Sequence, residues 1–92
     1  MRPEKYSKLT REQRAELRKR YASYQNNKCC YCGASLSGPP TDGILKRRIS
    51  RDLFPKHFFD YPTHLHHDHK TDLTIGAVHA YCNAVLWEHH GE

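Results

Sequence analysis

The chain predicts a small α+β domain: an N-terminal helix, a β-hairpin and a short C-terminal helix, stapled by a Cys3His zinc site. Three observations carry this. A capping-box pattern, Thr10-Arg11-Glu12-Gln13, opens a helical stretch near the N-terminus. Two short runs, Thr63 to His69 and Thr74 to Val78, flank the turn Lys70-Thr71-Asp72. Two half-sites of equal spacing, Cys29-x-x-Cys32 and His79-x-x-Cys82, enclose the middle of the chain.

Length and composition set the scale. The 92 residues suit one domain spanning 1–92, and only 37% are hydrophobic, many of them Tyr or Ala. So thin a core needs a staple, and a structural metal supplies one. No apolar run reaches the ~20 residues of a membrane span. The charged N-terminal stretch holds no apolar signal region, so the expectation is a cytoplasmic protein whose cysteines stay reduced and bind metal.

The first helix runs from Thr10 to Asn26-Asn27, with Leu17, Tyr21 and Tyr24 forming one apolar stripe at spacings of four and three. Residues 1–27 are thus a basic N-terminal helix, and 28–92 a zinc-stapled core carrying an inserted segment at about 34–63. Within the insert, Ser35 to Gly43 reads as a loop because of Gly38-Pro39-Pro40. Ile44 to Phe59 is open between a short helix and an irregular apolar wrap, since Pro55 interrupts Leu53, Phe54, Phe58 and Phe59. Pro62 precedes the first strand, Thr63 to His69. The return strand, Thr74 to Val78, is β-branched around Gly76. Cys82 to His90 reads as the terminal helix, closed by Gly91.

Two thiolates on a tight turn reach one tetrahedral ion, and Gly33 tolerates the strained turn. Zinc takes mixed sulfur and nitrogen ligands, so Cys29, Cys32, His79 and Cys82 make a closed site for one structural Zn2+. Cys30 falls outside that spacing and reads as a small packing residue. The alternative is buried free cysteines with His79 as an ordinary strand residue, and a redox Cys-x-x-Cys lacks the βαβ pattern it needs.

A second constellation lies beside the first. Alternate side chains of a strand share a face, which puts His66 and Asp68 on one side and Leu65, His67 and His69 on the other. Asn83 directly follows the zinc ligand Cys82, so the zinc fixes where it points. His90 lies seven residues further, two turns along the same helix face. This cluster suits a second metal and a proton acceptor; a metal-storage patch is the alternative.

The net charge of +5 is unevenly placed. Residues 1–24 hold eight Lys/Arg against three Glu, and Lys46, Arg47, Arg48 and Arg51 form a second basic segment. A solvated surface explains charge alone. Two basic segments flanking a metal cluster predict a polyanion, most plausibly nucleic acid. Arg14 and Arg18 on the first helix, with Arg47, Arg48 and Arg51, are the expected contacts to backbone phosphates.

His66-His67-Asp68-His69-Lys70-Thr71 followed by Val78-His79-Ala80-Tyr81-Cys82-Asn83 resembles the HNH nucleases, in particular the phage recombination endonuclease VII-like branch. That branch carries Asp-His-Asp-His, a turn, a strand, then Cys-x-x-Cys-Asn. The likeness covers Lys28 to Gly33 and His64 to Glu88, about a third of the chain. It implies a ββα-metal (His-Me finger) fold around one catalytic divalent ion. By position it makes His67 the general base, His66 a metal ligand, His69 an additional active-site histidine and Asn83 the helix-start asparagine near the metal. His66 stands where the branch has Asp, His79 replaces the first Cys of the second zinc pair, and Leu86 replaces an acidic residue. His89 or His90 then becomes a candidate for the final ligand, and Asp68 a competing one.

The expectation is a metal-dependent DNA endonuclease that nicks or cuts duplex or branched DNA using Mg2+, Mn2+ or Ni2+. It implies no membrane partner and leaves monomer and homodimer open. Phage origin, and with it the host cytoplasm, follows from the resemblance alone. The alternative is a non-catalytic, zinc-containing nucleic-acid-binding module. A redox or metal-handling protein is the third reading.

Overall fold

Residues 3–91 are described by the computed structural model, His90 by its backbone alone. Helix α1 spans Arg11–Tyr24, and its capping box is complete: Thr10 Oγ1 accepts from the Gln13 N–H, while Gln13 Oε1 accepts from the Thr10 N–H. Leu17 and Tyr21 bury one stripe of α1. Tyr24 does not join them. It is 72% exposed, because the chain leaves the helix at once through left-handed Asn26 and Asn27.

The segment 34–62 wraps the molecule with little regular structure. A four-residue helix, α2 (Asp42–Leu45), begins inside the stretch expected to be loop. Beyond it come two single 3-10 turns, Arg51–Leu53 and Phe58–Asp60, so the irregular wrap is what forms. Phe54 is its anchor, with Phe58, Phe59 and Trp87 all packed around its ring. Tyr81 donates to the Arg47 carbonyl at 2.7 Å, and the Ser50 N–H donates to Glu88 at 2.9 Å, tying the wrap to the last helix.

Strands β1 (Thr63–His67) and β2 (Thr74–His79) pair antiparallel as a two-stranded sheet, with Leu65 opposite Ala77 and His66 opposite Gly76. β1 ends two residues earlier than expected. The Asp68 carboxylate captures the N–H groups of Lys70 and Thr71, which bends the chain into its turn. Helix α3 (Ala80–His90) starts two residues earlier than expected, straight from β2, with His79 at its N-cap position. Gly91 closes it in the left-handed region. The result is a small α+β molecule with no described helix long and apolar enough to cross a membrane.

The core joins α1, the hairpin and α3: Leu17, Tyr21, Leu36, Leu65, Ala77 and Val78 surround Cys29 and Cys82. The outer edge of β2 is closed by side chain and loop. Gln25 Nε2 donates to the Ala77 carbonyl and Gln25 Oε1 accepts its N–H, both at 2.9 Å, as a neighbouring strand would. Nearer the hairpin tip, the Thr74 N–H donates to the Glu4 carbonyl.

Gly76 makes room for this closure. A Cβ there would lie 2.7 Å from Gln25 Oε1 and 3.1 Å from the Cys30 side chain. Cys30 is therefore exposed and laid over Gly76 rather than buried as a packing residue. Gly76→Ala is expected to cost about 1–3 kcal/mol in urea denaturation. The cost should shrink in a Gln25→Ala background, because the nearest clashing atom is gone; strictly additive losses would show that Gln25 is not the obstacle.

Candidate functional site

The four predicted zinc ligands meet. The ligand atoms of Cys29, Cys32, His79 and Cys82 all lie within 4.8 Å of one another, and the four cysteines of the chain are free. His79 Nδ1 is 3.5 Å from Cys32 Sγ and 3.6 Å from Cys82 Sγ. Ligands at zinc distances and tetrahedral angles stand about 3.5 Å apart, so the spacing fits that ion. Second contacts prepare it. His79 Nε2–H donates to the Ser35 carbonyl at 2.8 Å, which turns the bare Nδ1 inward. Gly33, at φ 81°, makes the left-handed turn that brings Cys32 back beside Cys29.

The donor chemistry also favours a cation. The Cys29 thiol is lowered to about 4, first by its hydrogen bond with Cys82, against the opposing effect of burial. The same bond, with burial and the charge on Cys29, pushes Cys82 far above the ordinary thiol range. Crowded sulfurs of this kind share protons until a metal replaces them.

Beside this centre, α1, β1, the wrap and α3 enclose a cleft of about 610 Å³. Its lining includes His64, His67, His69 and Asn83, with Arg11, Arg14 and Arg18 from one face of α1. Among the described residues no Asp or Glu lines it.

Asn83 is held from β1. His64 Nε2–H donates to the Phe58 carbonyl at 2.8 Å, which leaves Nδ1 bare. That nitrogen accepts from Asn83 Nδ2 at 3.2 Å, and Asn83 Oδ1 then faces His66 Nδ1 at 3.3 Å. Burial is the main force that lowers the His64 pKa, with Arg18 adding to it against the Phe58 carbonyl, so the ring stays neutral and able to accept.

His67 sits in a stack of four planar groups. The Arg14 guanidinium lies 4.1 Å over the Tyr6 ring. Tyr6 stacks on His67 at 3.9 Å, and His67 on His69 at 4.7 Å. Burial is the first cause that lowers the His67 pKa below its ordinary 6.5; His69, His66 and Arg14 add to it, while Asp72 opposes.

The remaining candidates lie elsewhere. Asp68 turns its carboxylate to the hairpin turn. His89 bonds the Arg48 carbonyl at 2.7 Å, away from Asn83. The His90 side chain lies outside the described residues. Arg47, Arg48 and Arg51 sit on the wrap and do not line the cleft; Arg51 covers Phe59 at 4.4 Å.

Three contributors escaped the sequence reading. His64 shares the alternation of His66, and Arg11 shares the helical face of Arg14 and Arg18, so both were open to periodicity arguments. Tyr6 was not. It reaches His67 because the N-terminal segment pairs with the hairpin tip: the Tyr6 N–H donates to the Asp72 carbonyl, and Ser7 bonds the Asp72 carboxylate.

Comparison of the chain with protein-family models, curated proteins and solved structures finds no match.

Elemental analysis is expected to give one zinc per chain. Cys82→Ser should lose the ion and most of the fold, since a structural zinc contributes ~10 kcal/mol or more. Cys30→Ser should keep both. A metal-free protein with an unchanged melting curve would refute the centre.

Proposed function

We propose that the protein is a small metal-dependent DNA endonuclease of the ββα-metal, HNH type, hydrolysing phosphodiester bonds. The observation that carries this reading is the content of one cleft. A neutral histidine and a fixed asparagine share its lining with three arginines, and among the described residues no carboxylate lines the same walls. Such a wall attracts a phosphodiester and repels nothing anionic. The hairpin leading directly into α3, with His66 and His67 on the first strand and Asn83 in the first helical turn, supports the same architecture.

His67 is the general base in this reading. Its depressed pKa keeps it neutral near pH 7, ready to take a proton from water as that water attacks phosphorus. Tyr6 and His69 hold the imidazole plane, so its lone pair has a set direction. Arg11, Arg14 and Arg18 hold phosphate oxygens.

His66 and Asn83 would hold the catalytic divalent ion. The 3.3 Å between His66 Nδ1 and Asn83 Oδ1 matches two adjacent ligands of one ion, which stand about 3.0–3.4 Å apart. When bound, the ion supplies charge stabilisation at the phosphate and the leaving oxygen. An imidazole ligand favours Mn2+ or Ni2+ at least as well as Mg2+. Asp68 gives Oδ1 to the turn and remains the competing ligand through its other oxygen.

Plasmid nicking in the presence of Mg2+, Mn2+ or Ni2+ tests the activity. Binding to DNA with no cleavage under any of them would leave the zinc-containing, non-catalytic nucleic-acid-binding module. His67→Ala should cut the rate by ~10²-fold or more while zinc content and melting stay unchanged; a parent-like rate would move the base to His69.

The pH profile carries a second expectation. Protonated His67 cannot accept a proton, so the rate should fall on the acid side of a pKa below 6.5 and level off above it. His69→Ala removes the His69 interaction and some of the burial that lower the His67 pKa. Both changes raise the His67 pKa, so the acid limb should move to higher pH. A profile that shifts downward, or stays put, contradicts the stack as the source of the low pKa.

The role of His64 is open to a binding measurement. His64→Ala frees the Asn83 amide to turn its Nδ2 toward His66. Mn2+ affinity, read by electron paramagnetic resonance, should fall about 10–100-fold with the zinc retained. Unchanged affinity would show that Asn83 is oriented by something else.

A further inference from the structure

Besides the arginines, much of the cleft lining is aromatic and apolar. Among the described residues seven large apolar side chains are exposed, and three of them, Leu53, Tyr61 and Trp87, line this single cleft. Trp87 is 42% exposed yet firmly seated, with Phe54 packed edge-on against it at 5.4 Å. Tyr61 is 54% exposed, and its hydroxyl lies 3.5 Å from Arg11. Exposed aromatic surface of this kind calls for a ligand with flat apolar faces. The guanidiniums of Arg11 and Arg18, with no acid near them in the lining, call for an anion.

A nucleotide strand carries both. We propose, resting on the phosphodiester reading above, that the cleft takes unpaired single-stranded DNA: phosphates lie along α1 and a base stacks on Trp87. Duplex DNA offers the same phosphates but keeps its base faces covered by their neighbours. A base must leave the duplex to reach Trp87, at a cost of a few kcal/mol. A single strand reaches it without that cost, and base-on-aromatic stacking tolerates any sequence.

Trp87 is the only tryptophan of the chain, so its fluorescence reports the stack directly. The zinc-bound protein, with no divalent ion added, is titrated with fluorescein-labelled oligo(dT), an abasic strand of equal length and a matched duplex. Anisotropy reads binding and Trp emission reads stacking. Oligo(dT) should quench the emission saturably and bind at least about ten-fold tighter than the duplex. The abasic strand should bind without the quench. Trp87→Leu should weaken oligo(dT) by about ten-fold, the scale of one lost base stack, and leave the abasic strand unchanged. Equal quenching by abasic strand and oligo(dT), or a duplex bound as tightly as the single strand, overturns the proposal while the phosphate reading stands. No binding by any of the three overturns both. Since no catalytic ion is present, none of these outcomes depends on cleavage.

Discussion

The junction between β2 and α3 governs this molecule. His79 ends the strand and Cys82 sits in the first turn of the helix, so one ion at that centre would clamp both elements to the Cys29–Cys32 turn. The clamp lies in the core rather than at its rim: Cys82 is fully buried and Cys29 is 3% exposed, packed among Leu17, Leu65 and Val78. A chain with so little aliphatic core gains much from such a clamp at its strand-to-helix corner. Because Asn83 is the next residue, the same clamp sets the geometry of the neighbouring cleft. Stability and site architecture therefore share one cause.

What the sequence disclosed followed from local rules. The capping box of Thr10 and Gln13, the termination at Asn26-Asn27, the hairpin around Lys70-Thr71-Asp72 and the two half-sites at Cys29 and His79 are short-range patterns, and each forms as expected. The errors are equally local. Thr10-type capping gives helix starts, but nothing comparable marked Ala80, because β2 feeds α3 with no intervening loop. The two-residue shortening of β1 has such a cause: Asp68 Oδ1 accepts the amides two and three residues ahead and turns the chain early.

The illegible part is long-range. Tyr6 meets His67 through pairing between Lys5 and Leu73, far apart in sequence. The stack it completes is sensitive to that pairing, since a ring lying 3.9 Å from an imidazole loses its hold with a small shift of the strand. The N-terminal segment thus contributes to the cleft through Tyr6. The wrap is similar. Its phenylalanines announced burial without announcing where, and the answer, the flank of Trp87 and the carbonyl of Phe58 on His64, needed the tertiary structure.

Closure of the β2 edge limits how copies of this chain can meet. A two-stranded sheet ordinarily offers its outer strand as a template, and pairing there is the common route to strand-swapped dimers and fibres. Here Gln25 and the Cys30 N–H already occupy the Ala77 backbone, and Glu4 occupies the Thr74 amide. The protein thus covers this strand with one side chain and two backbone contacts where larger domains spend a whole extra strand. Gln25 in that sense takes the place of a strand residue: one side-chain amide meets both the carbonyl and the N–H of Ala77.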